Sequence, residues 1–429
     1  MTYKFKNSEK LFYETLKHIP LASQTFSKSY LQFPVKISPL FIEKSLGCKV
    51  WDVDKNEYTD YINALASVTI GYADKEISEA VKKQIDNGVI FSLPHRIEGE
   101  VASQIIKMVP CAEKVRFGKN GTDATSAAIR LARAFTKKDV IAVCGYHGWQ
   151  DWYIGSTSRK LGVPKNTQKL TKTFQYNRID TLKSIFNQNK NKVAAVMLEP
   201  MNLHYPKDNF LYEVQTLSKE NNALLIFDET ITGFRFSEGG AQEEFGVIPD
   251  LATFGKGIAN GYPLSAIVGR DEIMQLMENI FFSSTFGGET ISLTASKYTL
   301  KKLVKNNVCQ HLKQVGQYLI NETSNIIKFN NLDEFISVSG HPSWSFIQFS
   351  DTKDNSSWEI KTLYLQEIFK RGILSLGTHN LSFAHKIEDI EKLLKVYDEV
   401  FSLLKHAIKS GNVRQSLLCQ PLKPVFKVR

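Results

Sequence analysis

The chain predicts an α/β protein of two domains, and three observations carry that expectation. Apolar runs of strand length recur at Val140–Val143, Ala223–Phe227 and Asp250–Phe254. Each run is followed at once by residues able to do chemistry, and α/β sheets bring ligands to the carboxyl ends of their strands. The length, 429 residues, exceeds what one simple core accommodates.

From the N-terminus, residues 1 to about 35 alternate between polar and aromatic types and predict a helix near Glu9–His18. A hairpin is expected around 49–62. Val115–Ala124 then leads into a stretch with apolar residues at Ala124, Ala128, Leu131 and Ala132, a helical spacing. Asn120-Gly121-Thr122 therefore sits where a loop becomes a helix N-terminus. Free N–H groups and the helix dipole favour a phosphate there, and Gly121 lets the backbone approach closely. A plain N-cap by Asn120 or Thr122 explains the same residues.

The strand Val140–Val143 runs into Cys144-Gly145-Tyr146-His147-Gly148, in which Tyr146 can stack on a flat cofactor and His147 can orient a neighbour. Half-buried packing is the plainer reading of that pair. Five apolar residues from Ala223 to Phe227 precede Asp228-Glu229. The strand Asp250–Phe254 precedes Gly255-Lys256-Gly257, where no neighbouring side chain crowds the amine. A solvated turn lysine also fits Gly-Lys-Gly. A strand-end lysine beside a cavity, by contrast, loses solvation and becomes a nucleophile toward carbonyls. Taken with Asp228, Lys256 matches the two demands of pyridoxal phosphate: a lysine for its aldehyde and a carboxylate that keeps its ring nitrogen protonated. Beyond these runs, Phe335–Ser339 and Ser345–Phe349 read as strands broken by Gly340-His341-Pro342, and Trp358–Arg371 and Ile387–Ala407 read as helices.

In this order the segments resemble the class III (fold type I) aminotransferases, closest to the glutamate-1-semialdehyde 2,1-aminomutase branch, from about Pro39 to about Asp389. Asp52–Tyr61 resembles the family's N-terminal hairpin, Asn120–Arg133 its phosphate loop and helix, and Tyr146-His147-Gly148 its ring-stacking motif. Glu199-Pro200 resembles an acidic turn near the cofactor, and Asp228–Arg235 the pyridinium strand, with Thr230 where a valine is usual. Pro249–Leu264 resembles the segment of the cofactor-binding lysine, and Ser284–Gly288 the loop that reaches the phosphate of the other subunit through Thr285. The resemblance implies a large domain, about 75–310, with a mostly parallel seven-stranded sheet. A small α+β domain would come from residues 1–74 and 325–429, and the active site would be shared in a homodimer. The implied cofactor site is Asn120, Gly121, Thr122, Tyr146, His147, Glu199, Asp228, Thr230, Lys256 and Thr285, with Lys256 and Asp228 catalytic.

Composition agrees. A hydrophobic fraction of 42% suits a globular enzyme, no apolar run reaches membrane-helix length, and the first residues lack a signal-peptide stretch, which predicts a cytoplasmic protein without a membrane partner. Five cysteines without metal-like spacing read as reduced thiols, and no metal is expected. The net charge of +10 is spread through the chain rather than clustered with aromatics, which argues against a nucleic-acid groove. The base-rich, acid-free stretch from Lys405 onward reads as a loosely held extension.

The substrate shell departs from the aminomutases. Their Ser-Pro-Val-Arg stretch corresponds to Phe33-Pro34-Val35-Lys36, and lysine gives a point charge in place of arginine's two-pronged grip. The loop after Asp151 is shorter and more aromatic and basic, and Ser375–His385 lacks their glutamate. The expected function is amino transfer from a small-molecule donor to a specialised carbonyl compound, for instance a sugar or cell-surface precursor, with Lys36, Trp152 and His379 meeting the substrate. Formation of 5-aminolevulinate from glutamate 1-semialdehyde is the alternative, and an inactive cofactor-binding regulator a second.

Overall fold

The structure, a computed structural model, describes residues 4–424. The chain divides into two compact units, one of residues 75–309 and one of the described residues up to Asp74 together with those from Gln310 onward.

The 75–309 unit is built on a seven-stranded sheet. Its spatial order is Lys114–Gly118, Ser265–Gly269, Leu251–Phe254, Leu224–Asp228, Val193–Leu198, Val140–Cys144 and Thr171–Thr173. Only Ser265–Gly269 runs against its neighbours. Four central strands are buried along their whole length, as a sheet covered on both faces requires. The alternation of side chains is visible in the two cores. Ile141, Val143, Ala195, Met197, Leu224 and Ile226 point to one, where Ala124, Ala128 and Leu131 of the helix Gly121–Thr136 pack. Val140, Ala142, Val196, Leu198, Leu225 and Phe227 point to the other, against Leu182 and Phe186 of one helix and Phe210 and Val214 of the next. Because the parallel strands share a direction, Gly118, Cys144, Leu198, Asp228 and Phe254 end at one edge of the sheet.

The terminal unit holds two small sheets. Ile42–Leu46, Lys49–Asp52 and Glu57–Asp60 form an antiparallel meander, joined in parallel by Ile373–Leu374. Ile336–His341, Trp344–Phe349 and Thr378–Asn380 form the second sheet, its first hairpin turning at Pro342-Ser343. Gly340 and His341 thus belong to the first strand, and the expected break between the two strands narrows to Pro342-Ser343. Helices Lys6–Leu16, Ser357–Phe369 and Ile387–Lys409 lie close to their expected places. The stretch 311–324, which fell between the expected domains, is helical and belongs to this unit.

The basic C-terminal stretch is not a loose extension as far as it is described. Leu418 N–H donates to Gln366 Oε1 (2.8 Å) and Leu422 N–H to Thr362 Oγ1 (2.9 Å), and Leu422 is buried. Its apolar residues, not its charges, decide its place. Residues 425–429 of that stretch lie outside the described part of the chain. All five cysteines are free thiols. Among the described residues, no helix is long and apolar enough to cross a membrane.

Candidate active site

Lys256 follows the fully buried strand Leu251–Phe254 and takes a left-handed backbone, φ 44°. That conformation is costly for a residue with a side chain and is typical of functional positions. The residue is half-buried, while its amine is enclosed. Burial pulls the amine down to a pKa of about 8; Glu199 and Asp228 oppose the shift and Arg235 adds to it. Near neutral pH about a tenth of such amines are uncharged, against fewer than about one in a thousand for an ordinary lysine, and a nucleophile or general base requires the uncharged form.

Asp228 ends the neighbouring strand and is buried. One carboxylate oxygen, Oδ2, accepts from His147 Nδ1 at 2.8 Å. The other, Oδ1, accepts from Thr230 N–H (3.1 Å), Thr230 Oγ1 (2.5 Å) and Thr253 Oγ1 (3.1 Å). Burial pushes the carboxyl up, but the His147 and Thr230 contacts outweigh it and hold it below the usual range. The His147 ring is fixed from its other side, with Nε2 3.2 Å from Cys144 O and the Tyr153 ring edge-on at 5.2 Å. The adjacent carboxylate does different work. Glu229 turns away and accepts from Ala241 N–H (2.6 Å), Gln242 N–H (3.0 Å) and Thr232 Oγ1 (2.8 Å), which ties down the loop after Asp228.

At the end of Lys114–Gly118, the helix Gly121–Thr136 begins. Asp123 Oδ2 accepts from the N–H groups of Lys119 (3.0 Å) and Asn120 (2.8 Å). Asn120 is exposed and its N–H is thereby engaged, which leaves the N–H groups of Gly121 and Thr122 as first-turn donors for an anion. The Thr122 hydroxyl is buried and has no hydrogen-bond partner. Space is kept open around this turn. A Cβ on Gly121 would lie 3.0 Å from Thr230 Cγ2, and one on Gly148 would lie 2.4 Å from Thr122 Oγ1.

Glu199 follows Val193–Leu198 and is buried. Its Oε2 accepts from Tyr146 N–H (3.0 Å) and its Oε1 from Asn202 Nδ2 (3.0 Å). Tyr146 itself is 44% exposed, and its ring meets that of Tyr153 edge-on. Thr285 lies exposed in the loop before the helix Thr290–Lys305.

The expected substrate residues fare differently. Trp152 is a packing residue: it is buried in the helix-covered core, and its indole N–H donates to Ser126 Oγ at 2.9 Å. The exposed tryptophan of that stretch is Trp149. His379 is also spoken for. It is fully buried, Nδ1 lies 2.8 Å from Ser345 Oγ and Nε2 2.7 Å from Tyr397 OH, and burial pulls its pKa to about 3. Neither nitrogen is left for a substrate. Lys36 has a left-handed backbone, φ 78°, and is exposed. Two contributors went unnoticed in the sequence. Thr253 binds Asp228, and its signal was a hydroxyl inside an apolar strand. Arg235, fully buried and electrostatically coupled to Lys256, closes the run that Asp228 opens.

Pyridoxal phosphate offers an aldehyde, a ring nitrogen and a phosphate, and this edge of the sheet holds a group suited to each. Lys256 presents an enclosed amine of lowered pKa, Asp228 an ionised buried carboxylate, and the turn at Gly121-Thr122 free donors with a buried hydroxyl lacking a partner.

Residues 32–385 match the family described as aminotransferase class-III. The chain is 32% identical over 412 residues to a 3-aminobutyryl-CoA aminotransferase of Cloacimonas acidaminovorans, covering 94% of this chain and 98% of that one. It is 39% identical over 321 residues to a glutamate-1-semialdehyde 2,1-aminomutase of Methanocaldococcus jannaschii, covering 71% of this chain and 74% of that one. Among solved structures, the PLP form of the FumI protein of Sphingopyxis sp. MTA144 superposes with a TM-score of 0.88 at 26% identity, over 97% of this chain and 99% of that one. A glutamate-1-semialdehyde aminomutase of Pseudomonas aeruginosa PAO1 shares the fold, with a TM-score of 0.81 at 21% identity over 93% of this chain and 95% of that one.

Proposed function

The chain belongs to the class-III aminotransferases, enzymes that use pyridoxal phosphate, and we propose that it transfers an amino group from a small-molecule donor to a carbonyl acceptor with Lys256 as the cofactor-binding base. The observation that carries this reading is the enclosed Lys256 amine, brought to about 8 beside the buried Asp228. When bound, the cofactor supplies an electron sink for the carbon that loses a proton. Lys256 Nζ takes that proton and returns it, tethered close to the reacting carbon. Asp228 keeps the proton on the ring nitrogen, and His147, Thr230 and Thr253 keep Asp228 ionised and aimed. Gly121 and Thr122 donate to the phosphate, and Tyr146 gives the ring a face to lie on. As part of the same reading the enzyme is a cytoplasmic homodimer, in which Thr285 serves the phosphate site of the second copy.

Transamination is preferred because a lysine stands at position 36, in the stretch that resembles the aminomutases' Ser-Pro-Val-Arg; coverage does not separate the two, since relatives of both names are matched over 98% of their length. With Trp152 buried, Trp149 is the exposed tryptophan of that stretch that a sugar acceptor could meet. The name of the relative from Cloacimonas acidaminovorans, a 3-aminobutyryl-CoA aminotransferase, makes an amine beta to an acyl group the first class to assay. The aminomutase reading keeps one specific support, the relatives of that name at up to 39% identity. The two separate on mixing the loaded protein with glutamate. Stoichiometric release of 2-oxoglutarate supports transamination. Formation of 5-aminolevulinate from the semialdehyde without an added amine donor would overturn it.

A further inference from the structure

One charged group beside the phosphate turn has no role in the reading above. Lys119 immediately precedes Asn120-Gly121-Thr122, where a cation would be expected to meet the phosphate directly. Its amine instead lies 2.6 Å from Glu289 Oε2, and both side chains are largely shielded, 17% and 13% exposed. Glu289 is the N-cap of the helix Thr290–Lys305, and its Oε1 accepts from the N–H groups of Ile291 (2.9 Å) and Ser292 (3.2 Å). Burial pushes the Glu289 carboxyl up, yet Lys119 and Ser292 hold it below the usual range.

The pair belongs to a larger attachment. Arg116 Nη2 donates to Phe282 O (3.2 Å) and Arg130 Nη1 to Phe281 O (2.5 Å). A Cβ on Gly287 would lie 3.4 Å from Phe117 O, so the loop passes directly over the strand that feeds the phosphate turn. Three cationic side chains from one strand–turn–helix therefore grip the 281–289 loop, and Lys119 makes the shielded ion pair among them.

We propose that Lys119 is a positioning residue: by pairing with Glu289 it locks the 281–289 loop to the phosphate turn and sets the Gly121-Thr122 donors, rather than contacting the phosphate itself. This rests on the cofactor reading above. Removing either charge frees the turn from the loop, so both partners act in the same direction on cofactor affinity. A lysine that bound phosphate directly would behave differently, because neutralising Glu289 would release it to the anion and tighten binding.

The test is a double-mutant cycle read by spectroscopic titration of the apo-protein with pyridoxal phosphate. Lys119→Met and Glu289→Gln keep side-chain length, and glutamine retains an oxygen to cap the helix. Each is expected to weaken binding about tenfold, a loss of ~1.4 kcal/mol, with the double variant no worse than either single one. Lys119→Arg, which can still pair, is expected to restore affinity. Tighter or unchanged binding in Glu289→Gln overturns the proposal, as do additive losses in the double variant. Circular-dichroism melting checks the fold of each apo-protein. Should Lys119→Met not fold, the sign of the Glu289→Gln effect decides alone. A wild-type protein that fails to bind the cofactor sinks the cofactor reading instead, so the two failures are distinct.

Discussion

At the residue scale the proposed chemistry rests on two groups moved in useful directions by burial and neighbours. The Lys256 amine sits near 8, below an ordinary lysine. Between that value and the unfolded lysine value the unfolded chain holds more protons at this site, so apo-protein stability rises with pH across that window. We expect Lys256→Met to remove a rise of about 2.5 kcal/mol in urea denaturation followed from pH 7 to 10; identical profiles for the two proteins would contradict the assignment. Asp228 lies below its usual range, so its contribution is present above the unfolded carboxylate pKa and is lost as pH falls. His147→Phe deletes the 2.8 Å contact. It should cost about 1–3 kcal/mol at neutral pH and move the acid-side loss to higher pH. Lys256 and Asp228 were legible in the sequence because short-range signals mark them, an apolar run followed at once by a charge. Trp152 and His379 were misread for the converse reason. Whether an aromatic with a polar edge faces a ligand or the core depends on distant partners, here Ser126 and Tyr397, which no local pattern announces.

At the element scale the site depends on strand ends and one helix start brought close together. Gly148 is a sharp probe, because its φ of +106° strains any side chain and a Cβ would press on Thr122 Oγ1 at 2.4 Å. Gly148→Ala is expected to destabilise the protein by about 1–3 kcal/mol in urea and to weaken cofactor binding in a titration; unchanged affinity would show that Thr122 is not part of the phosphate site. The helix Gly121–Thr136 was legible from its apolar spacing. So was its cap: Asn120, one of the two residues the sequence suggested, holds the N-cap position, Asp123 accepts its N–H, and the Thr122 hydroxyl is left without a partner. The C-terminal stretch shows a limit. Its charge suggested a loose extension, but Leu422 is buried and hydrogen-bonded to the Ser357–Phe369 helix. Charge counts carry less information than a single well-placed leucine, because exposed charges are worth little and buried apolar area much.

At the scale of the whole molecule, the parallel sheet explains why residues as far apart in sequence as Gly121 and Lys256 lie at the same end of the sheet. Sheet topology is fixed by crossover connections and core packing; the recurrence of apolar runs ending in reactive residues hinted at it, and the mostly parallel seven-stranded sheet came from the family resemblance. The proposed homodimer predicts a sedimentation-equilibrium mass of twice 48.7 kDa at working concentrations; a fully active monomer would refute the sharing of Thr285 between sites. The central claim is that the amine of Lys256 binds the coenzyme covalently. Borohydride treatment of the cofactor-saturated protein, followed by digestion and peptide mass mapping, tests it most directly. The account predicts a pyridoxyl-phosphate mass on the peptide containing Lys256 and its absence in Lys256→Ala. Full saturation with that lysine unmodified, or the label on another lysine, would contradict it.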